Sequence, residues 1–162
     1  MKTLLAFQNV TLIDGTGREP LPDATVGVRE GRIVYAGPAR KWQPTLEEDI
    51  INLELRGKYV MPGLIDCRVH LSGDGEPEGR FEAGGQGAMT LRMLANARRS
   101  LAAGLTTVRD LGGWGGLEFD LRRSIEAGEF SGPRLVLAGR CISRGESAAD
   151  YDAGMVRLAE GA

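Results

Sequence analysis

Met61-Pro62-Gly63-Leu64-Ile65-Asp66-Cys67-Arg68-Val69-His70-Leu71 is the stretch whose reading decides the fold. Pro62-Gly63 reads as a turn that launches a short apolar strand. A two-residue period puts Asp66, Arg68 and His70 on one face of that strand and Cys67 and Val69 on the other. Burying three polar groups on one side of an otherwise apolar strand is costly without partners, so that face is expected to line a site.

Working outward toward the C-terminus, strand alternates with helix from residue 59 onward. A connection rich in Gly and acidic residues, 72–87, is longer than an ordinary strand-to-helix loop, and such loops are often lids or binding segments; a solvated loop is the plainer alternative. Asp74, Glu76 and Glu78 in it are most simply solvated charges. Residues 88–103 predict a helix with Leu94, Ala97, Leu101 and Ala102 on one face and Gly104 placed as a C-cap. Residues 105–111 predict a strand. Residues 117–127 predict a helix on Leu117, Leu121 and Ile125, and Gly132-Pro133 leads into a third strand over 134–142. A third helix is expected over 151–159, with Tyr151, Met155 and Leu158 on one face. That is three β/α units of a parallel sheet. Toward the N-terminus, residues 1–58 read as all-β: strands over 6–13, 24–29, 32–35 and 50–55, with Glu30-Gly31 as a tight hairpin turn. Short strands punctuated by Gly and Pro predict a small sandwich-type segment.

The Pro-Gly-Leu-Ile-Asp run at 62–66, the Ala-Gly-Leu-Thr-Thr-Val-Arg-Asp run at 103–110 and Gly132-Pro133-Arg134 resemble the amidohydrolase superfamily, in its imidazolonepropionase-like and Xaa-Pro-dipeptidase-like (prolidase) branch. The resemblance implies an α/β fold: a partial TIM-type barrel of about three units over 59–162, preceded by a β-sandwich segment over 1–58. A complete barrel of this type has eight units and typically about 250 residues, so the likeness covers the family's first portion. It implies a truncated or remodelled hydrolase of C–N or ester bonds acting on small amide, peptide or ester substrates. A non-catalytic, self-associating module with exposed sheet edges is the alternative.

In that family the first barrel strand carries His-x-His and both histidines bind a divalent metal. Here His70 matches the second, and Arg68 stands at the first. A guanidinium offers only donors and stays charged, so it cannot ligate a cation. The resemblance therefore implies zinc or another divalent metal with His70 as ligand, or no metal in this chain, where Arg68 would replace the cation as charge partner of Asp66. Asp66, Arg68 and His70 are the candidate catalytic residues. His70 is also readable as a remnant held by Asp66 or a backbone carbonyl, because one imidazole cannot satisfy a tetrahedral site. The family's other ligands, a carboxylated lysine, further histidines and an aspartate, belong to later strands, and the chain contains one histidine.

Arg109 and Asp110 end the second barrel strand. Alternation lets at most one of them point inward, and a structural ion pair or loop anchor is the expected role. Cys141 and Ser143 end the third and could meet His70 as nucleophile and base, although no Gly-x-Ser-x-Gly elbow supports this and a Cys on an apolar strand is usually packing. Gly112-Gly113-Trp114-Gly115-Gly116 lacks the Lys and Ser/Thr of a phosphate loop and reads as a strand-to-helix turn.

A net charge of −2 over 162 residues excludes nucleic-acid binding driven by general electrostatics. No run approaches the roughly 18 apolar residues of a membrane span, and no secretory signal is visible. Two cysteines without metal spacing suggest a reducing compartment, so a cytoplasmic protein is expected. Uncovered strand edges predict a homo-oligomer.

Overall fold

The computed structural model describes residues 3–44, 49–73, 85–143 and 156–158, and the chain divides into two compact units, Met1–Pro62 and Gly63–Ala162. No described helix is long and apolar enough to cross a membrane.

The first unit is built on β1 (Thr3–Leu12), which pairs antiparallel with β2 (Leu21–Arg29) and parallel with β4 (Asp49–Glu54). β3 (Arg32–Pro38) extends the sheet beyond β2, and β5 (Tyr59–Val60) pairs with the end of β1. The turn joining β2 to β3 has positive φ at Glu30 (50°) and Gly31 (71°), the primed geometry that suits a two-residue hairpin. β3 runs on through Ala36-Gly37-Pro38, where sequence reading ends it, and Pro38 is tolerated because it closes an edge strand. β1 gains one residue between Phe7 and Val10, and Asn9 absorbs it at φ 57°, a conformation that asparagine tolerates. Val10, Leu12, Ala24 and Val26 form the core. The described residues make a single sheet with no second packed layer, so the sandwich expected for residues 1–58 is one-layered here.

Beyond β1, Asp14 organises the turn. Its carboxylate accepts from the backbone N–H (3.0 Å) and the hydroxyl (2.6 Å) of Thr16, and Arg18 closes on its second oxygen. The Thr16 hydroxyl is the largest cause that lowers the Asp14 pKa from 3.8 to about 2. A depressed carboxyl pKa contributes stability that is present above pH 3.8 and lost as pH falls through about 2. Thr16→Val should therefore raise the Asp14 pKa, read by carboxyl-carbon NMR titration. An unmoved midpoint would assign the shift elsewhere.

The second unit holds a parallel sheet in the order β6 (Leu64–Val69), β7 (Leu105–Asp110), β8 (Arg134–Leu137). Helix α1 (Gly85–Ala102) connects the first two strands and α2 (Leu117–Glu126) the last two, the β-α-β connection that parallel strands require. Leu71, Met89, Met93, Ala97, Val108, Leu121 and Leu135 form the core between sheet and helices. α1 starts at Gly85, three residues before the expected start, and its buried stripe is Met89, Met93 and Ala97 at i, i+4, i+8; Leu94 flanks it, whereas Ala102 is exposed. The expected strand over 134–142 is broken. β8 stops at Leu137, Gly139 turns the chain at φ 80°, and Cys141–Ser143 forms β9. β9 pairs in parallel with β10 (Val156–Leu158), so the predicted third helix is replaced at those three positions by a strand; its other positions lie outside the described residues.

Candidate functional site

The polar residues of the second unit gather where the parallel strands end. His70 follows β6 directly, and the chain turns beneath it: the Gly73 N–H donates to the His70 carbonyl (3.0 Å). Asn96 of α1 pins this turn, its amide donating to the carbonyls of Leu71 (2.8 Å) and Gly73 (2.7 Å). Leu71 and Ser72 are buried while His70 is exposed, so the residue stands at the surface on a fixed base.

Asp110, at the end of β7, is 1% exposed. Its two carboxylate oxygens accept from the backbone N–H of Leu71 (3.2 Å) and of Gly112 (3.0 Å). Burial raises its pKa above the usual carboxylate value, and the two N–H donors and the nearby charge of His70 oppose that rise. Of the pair Arg109 and Asp110, the inward residue is the aspartate and its role is a loop anchor, while Arg109 is exposed. Three consecutive residues thus tie the strand ends together. Asp110 holds Leu71, the Leu111 N–H donates to the Val69 carbonyl (3.1 Å), and the Leu111 carbonyl accepts the Cys141 thiol (Sγ to O 3.3 Å). Gly112 completes the set, because a methyl group on it would lie 2.5 Å from Cys141 Sγ and 2.9 Å from His70 Nδ1.

Of the three candidate catalytic residues, only His70 joins this cluster. Asp66 is half-buried and accepts from the backbone N–H of Arg68 (2.9 Å). The Arg68 guanidinium makes no ion pair with Asp66 among the described residues, so the main-chain N–H supplies the partner that the expected charge pairing assigned to the side chain. The β6–β7 register slips between Asp66 and Val69, which interrupts the strict alternation that set the three residues on one face. Cys67 is exposed and not paired with Cys141. The side chain of Ser143 lies outside the described residues, as does most of the acidic loop.

Two features escape sequence reading. Asn96 sits on a helix with nothing to mark it as a loop clamp. Glu118, in the first turn of α2, is fully buried, and neither of its carboxylate oxygens has a hydrogen-bond partner among the described residues. Its carboxyl group packs on Gly113, where a Cβ would lie 1.9 Å from Cδ. The glycine pair at 112–113 was the available signal, since two buried glycines in a row mark a close approach.

A parallel β/α sheet that carries its polar residues at the strand ends marks the class the chain resembles: in sequence and fold it is similar to the N-terminal portion of amidohydrolase-superfamily proteins. Molinate hydrolase superposes with a TM-score of 0.75 at 30% identity, over 89% of this chain and 31% of that one. A putative prolidase from Bifidobacterium longum gives 0.74 at 27% identity, over 98% and 34%. In sequence, imidazolonepropionase of Methylobacterium sp. (strain 4-46) is 39% identical over 74 residues, 45% of this chain and 18% of that protein. Imidazolonepropionase of Acidiphilium cryptum (strain JF-5) is 33% identical over 129 residues, 63% and 31%. The chain thus spans less than a third of the curated relatives it matches here. No family model matches it.

Proposed function

We propose that the second unit is the opening part of a β/α barrel and carries a hydrolase site for C–N or ester bonds of small amides, peptides or esters. The observation that carries this reading is the mounting of His70. The imidazole is exposed at the C-terminal end of a parallel strand, the rim where barrel enzymes place their chemistry, and a buried aspartate fixes the residue behind it. His70 moves the proton; Arg68 and Asp66 stand outside its cluster, where Asp66 holds the Arg68 main chain.

By resemblance the cofactor is zinc or another divalent cation with His70 as a ligand, and Arg68 occupies a ligand position. The described residues do not fit that group: a catalytic metal needs about three protein donors, Arg68 cannot donate a lone pair, and no cluster of three His, Cys, Asp or Glu able to hold a metal occurs among them. Hydrolysis of ester and amide substrates, with and without added zinc and with a chelator, tests the reading. His70→Ala is expected to lower kcat/KM by about 100-fold or more. An unchanged rate in that variant would remove the proposal.

A second reading, a self-associating module, draws on exposed apolar side chains of the sheets, Ile65 (64%), Val136 (47%) and Ile142 (77%). Light scattering at micromolar concentration tests it, and a clean monomer ends it.

A further inference from the structure

We propose that Cys141 is a nucleophilic thiol served by His70, which makes this rim a site for acyl transfer from activated esters and thioesters through a thioester on Cys141. The inference rests on the hydrolase reading and deepens it. Sγ and Nδ1 lie 2.5 Å and 2.9 Å from one common point, the place a Cβ of Gly112 would occupy, so the sum of those two distances bounds their separation. Only a glycine at 112 leaves the space between them open. Both partners are held by the same three-residue segment. Asp110 anchors the residue after His70, and the Leu111 carbonyl accepts a hydrogen bond from the Cys141 thiol (Sγ to O 3.3 Å), which fixes where the sulfur sits. Cys141 is half-buried and His70 exposed, so a small acyl compound reaches both.

The thiol proton passes to the imidazole as sulfur forms a bond to the acyl carbon. The bond from that carbon to the leaving oxygen or sulfur breaks, and the leaving atom takes the proton from the imidazolium. Water then adds to the thioester, giving a proton to His70. The C–S bond breaks, the acid departs, and the proton returns to Cys141. No oxidant or metal enters the balance.

The exposed Cys67 supplies an internal control, because access alone would favour it. The full chain is treated with p-nitrophenyl acetate, and acetyl groups are located by peptide mass mapping over time. Cys141 is expected to acetylate at least tenfold faster than Cys67. His70→Ala and His70→Gln should each slow Cys141 at least tenfold and leave Cys67 unchanged, with the circular dichroism spectrum of the parent retained in both variants. Faster labelling of Cys67, or a Cys141 rate indifferent to both His70 variants, overturns the proposal. Undiminished ester turnover in Cys141→Ser also overturns it, while leaving the hydrolase reading standing. An acetyl-Cys141 that forms rapidly but never turns over supports the thiol and counts against the hydrolase.

Discussion

Replacing Asp110 with alanine is expected to destabilise the second unit by about 2–5 kcal/mol, because it orphans two backbone donors at once. The Leu71 and Gly112 N–H groups have this carboxylate as their acceptor, and a buried unpaired donor costs roughly 1–3 kcal/mol. Relief from desolvating the carboxyl offsets part of that loss, and the offset depends on pH. Burial holds the Asp110 pKa above 3.8, so the folded chain keeps its proton over a range in which the unfolded chain has released it. Stability contributed by such a group is complete below pH 3.8 and declines as pH rises toward the folded value. The alanine variant has no such decline, and its deficit relative to the parent should be largest near pH 4 and smaller near pH 7. Trp114 packs against the core of the second unit, and Trp42 belongs to the first. Urea unfolding followed by Trp114 fluorescence in a Trp42→Phe background therefore isolates the effect. An equal deficit at both pH values would mean that Asp110 acts through its bonds alone.

The elements legible in the sequence are those whose local and global requirements agree. The Glu30-Gly31 hairpin, β7 and α2 each pair a clean period with a proper stop, and these and β6 lie where expected within a few residues. α1 is misjudged at its start because Gly85-Gln86-Gly87 reads as loop, and its inward face is misread because the stripe opens on Met89 and Met93, residues that pack as well as leucine but draw less weight in a pattern. The third strand fails at Gly139, whose left-handed φ cannot be told from an ordinary strand glycine without the fold. The predicted third helix is a propensity that β9 overrides by offering backbone partners to Val156–Leu158. For the site, the sequence yields His70, which a motif marks, and the anchoring role of Asp110. Two kinds of information are missing from it. The register slip after Asp66 removes two of the three candidates from the His70 cluster, and slips leave no compositional trace. The approach of Cys141 to His70 depends on which strand ends meet, and spacing along the chain is silent about that.

Gly113→Ala is expected to cost the second unit about 3 kcal/mol, and the loss should largely vanish when Glu118 is also alanine. Gly113 does not sit at positive φ, so the backbone accepts a side chain and the penalty is purely one of space. The new methyl would lie 1.9 Å from Glu118 Cδ and 2.0 Å and 2.4 Å from its two oxygens, which places it within the volume the carboxyl occupies. A flexible glutamate at the surface would swing aside. Glu118 is fully buried in the first turn of α2, where the helix dipole favours a negative charge, and it has no exposed position to move to without disturbing the helix. Removing the carboxylate alone should change stability by only about 1 kcal/mol, because lost packing is set against relief of two buried oxygens that lack hydrogen bonds. The double variant then has room for the methyl, so the cycle should show a coupling of about 2 kcal/mol, near the upper end for residues in contact. The same cycle separates two roles for Glu118. A coupling near zero would mean that the carboxyl relocates freely and is an incidental occupant of the space. A large coupling fixes it as the wedge that holds Gly113, and with it Gly112 and the gap between His70 and Cys141, at the rim of the sheet.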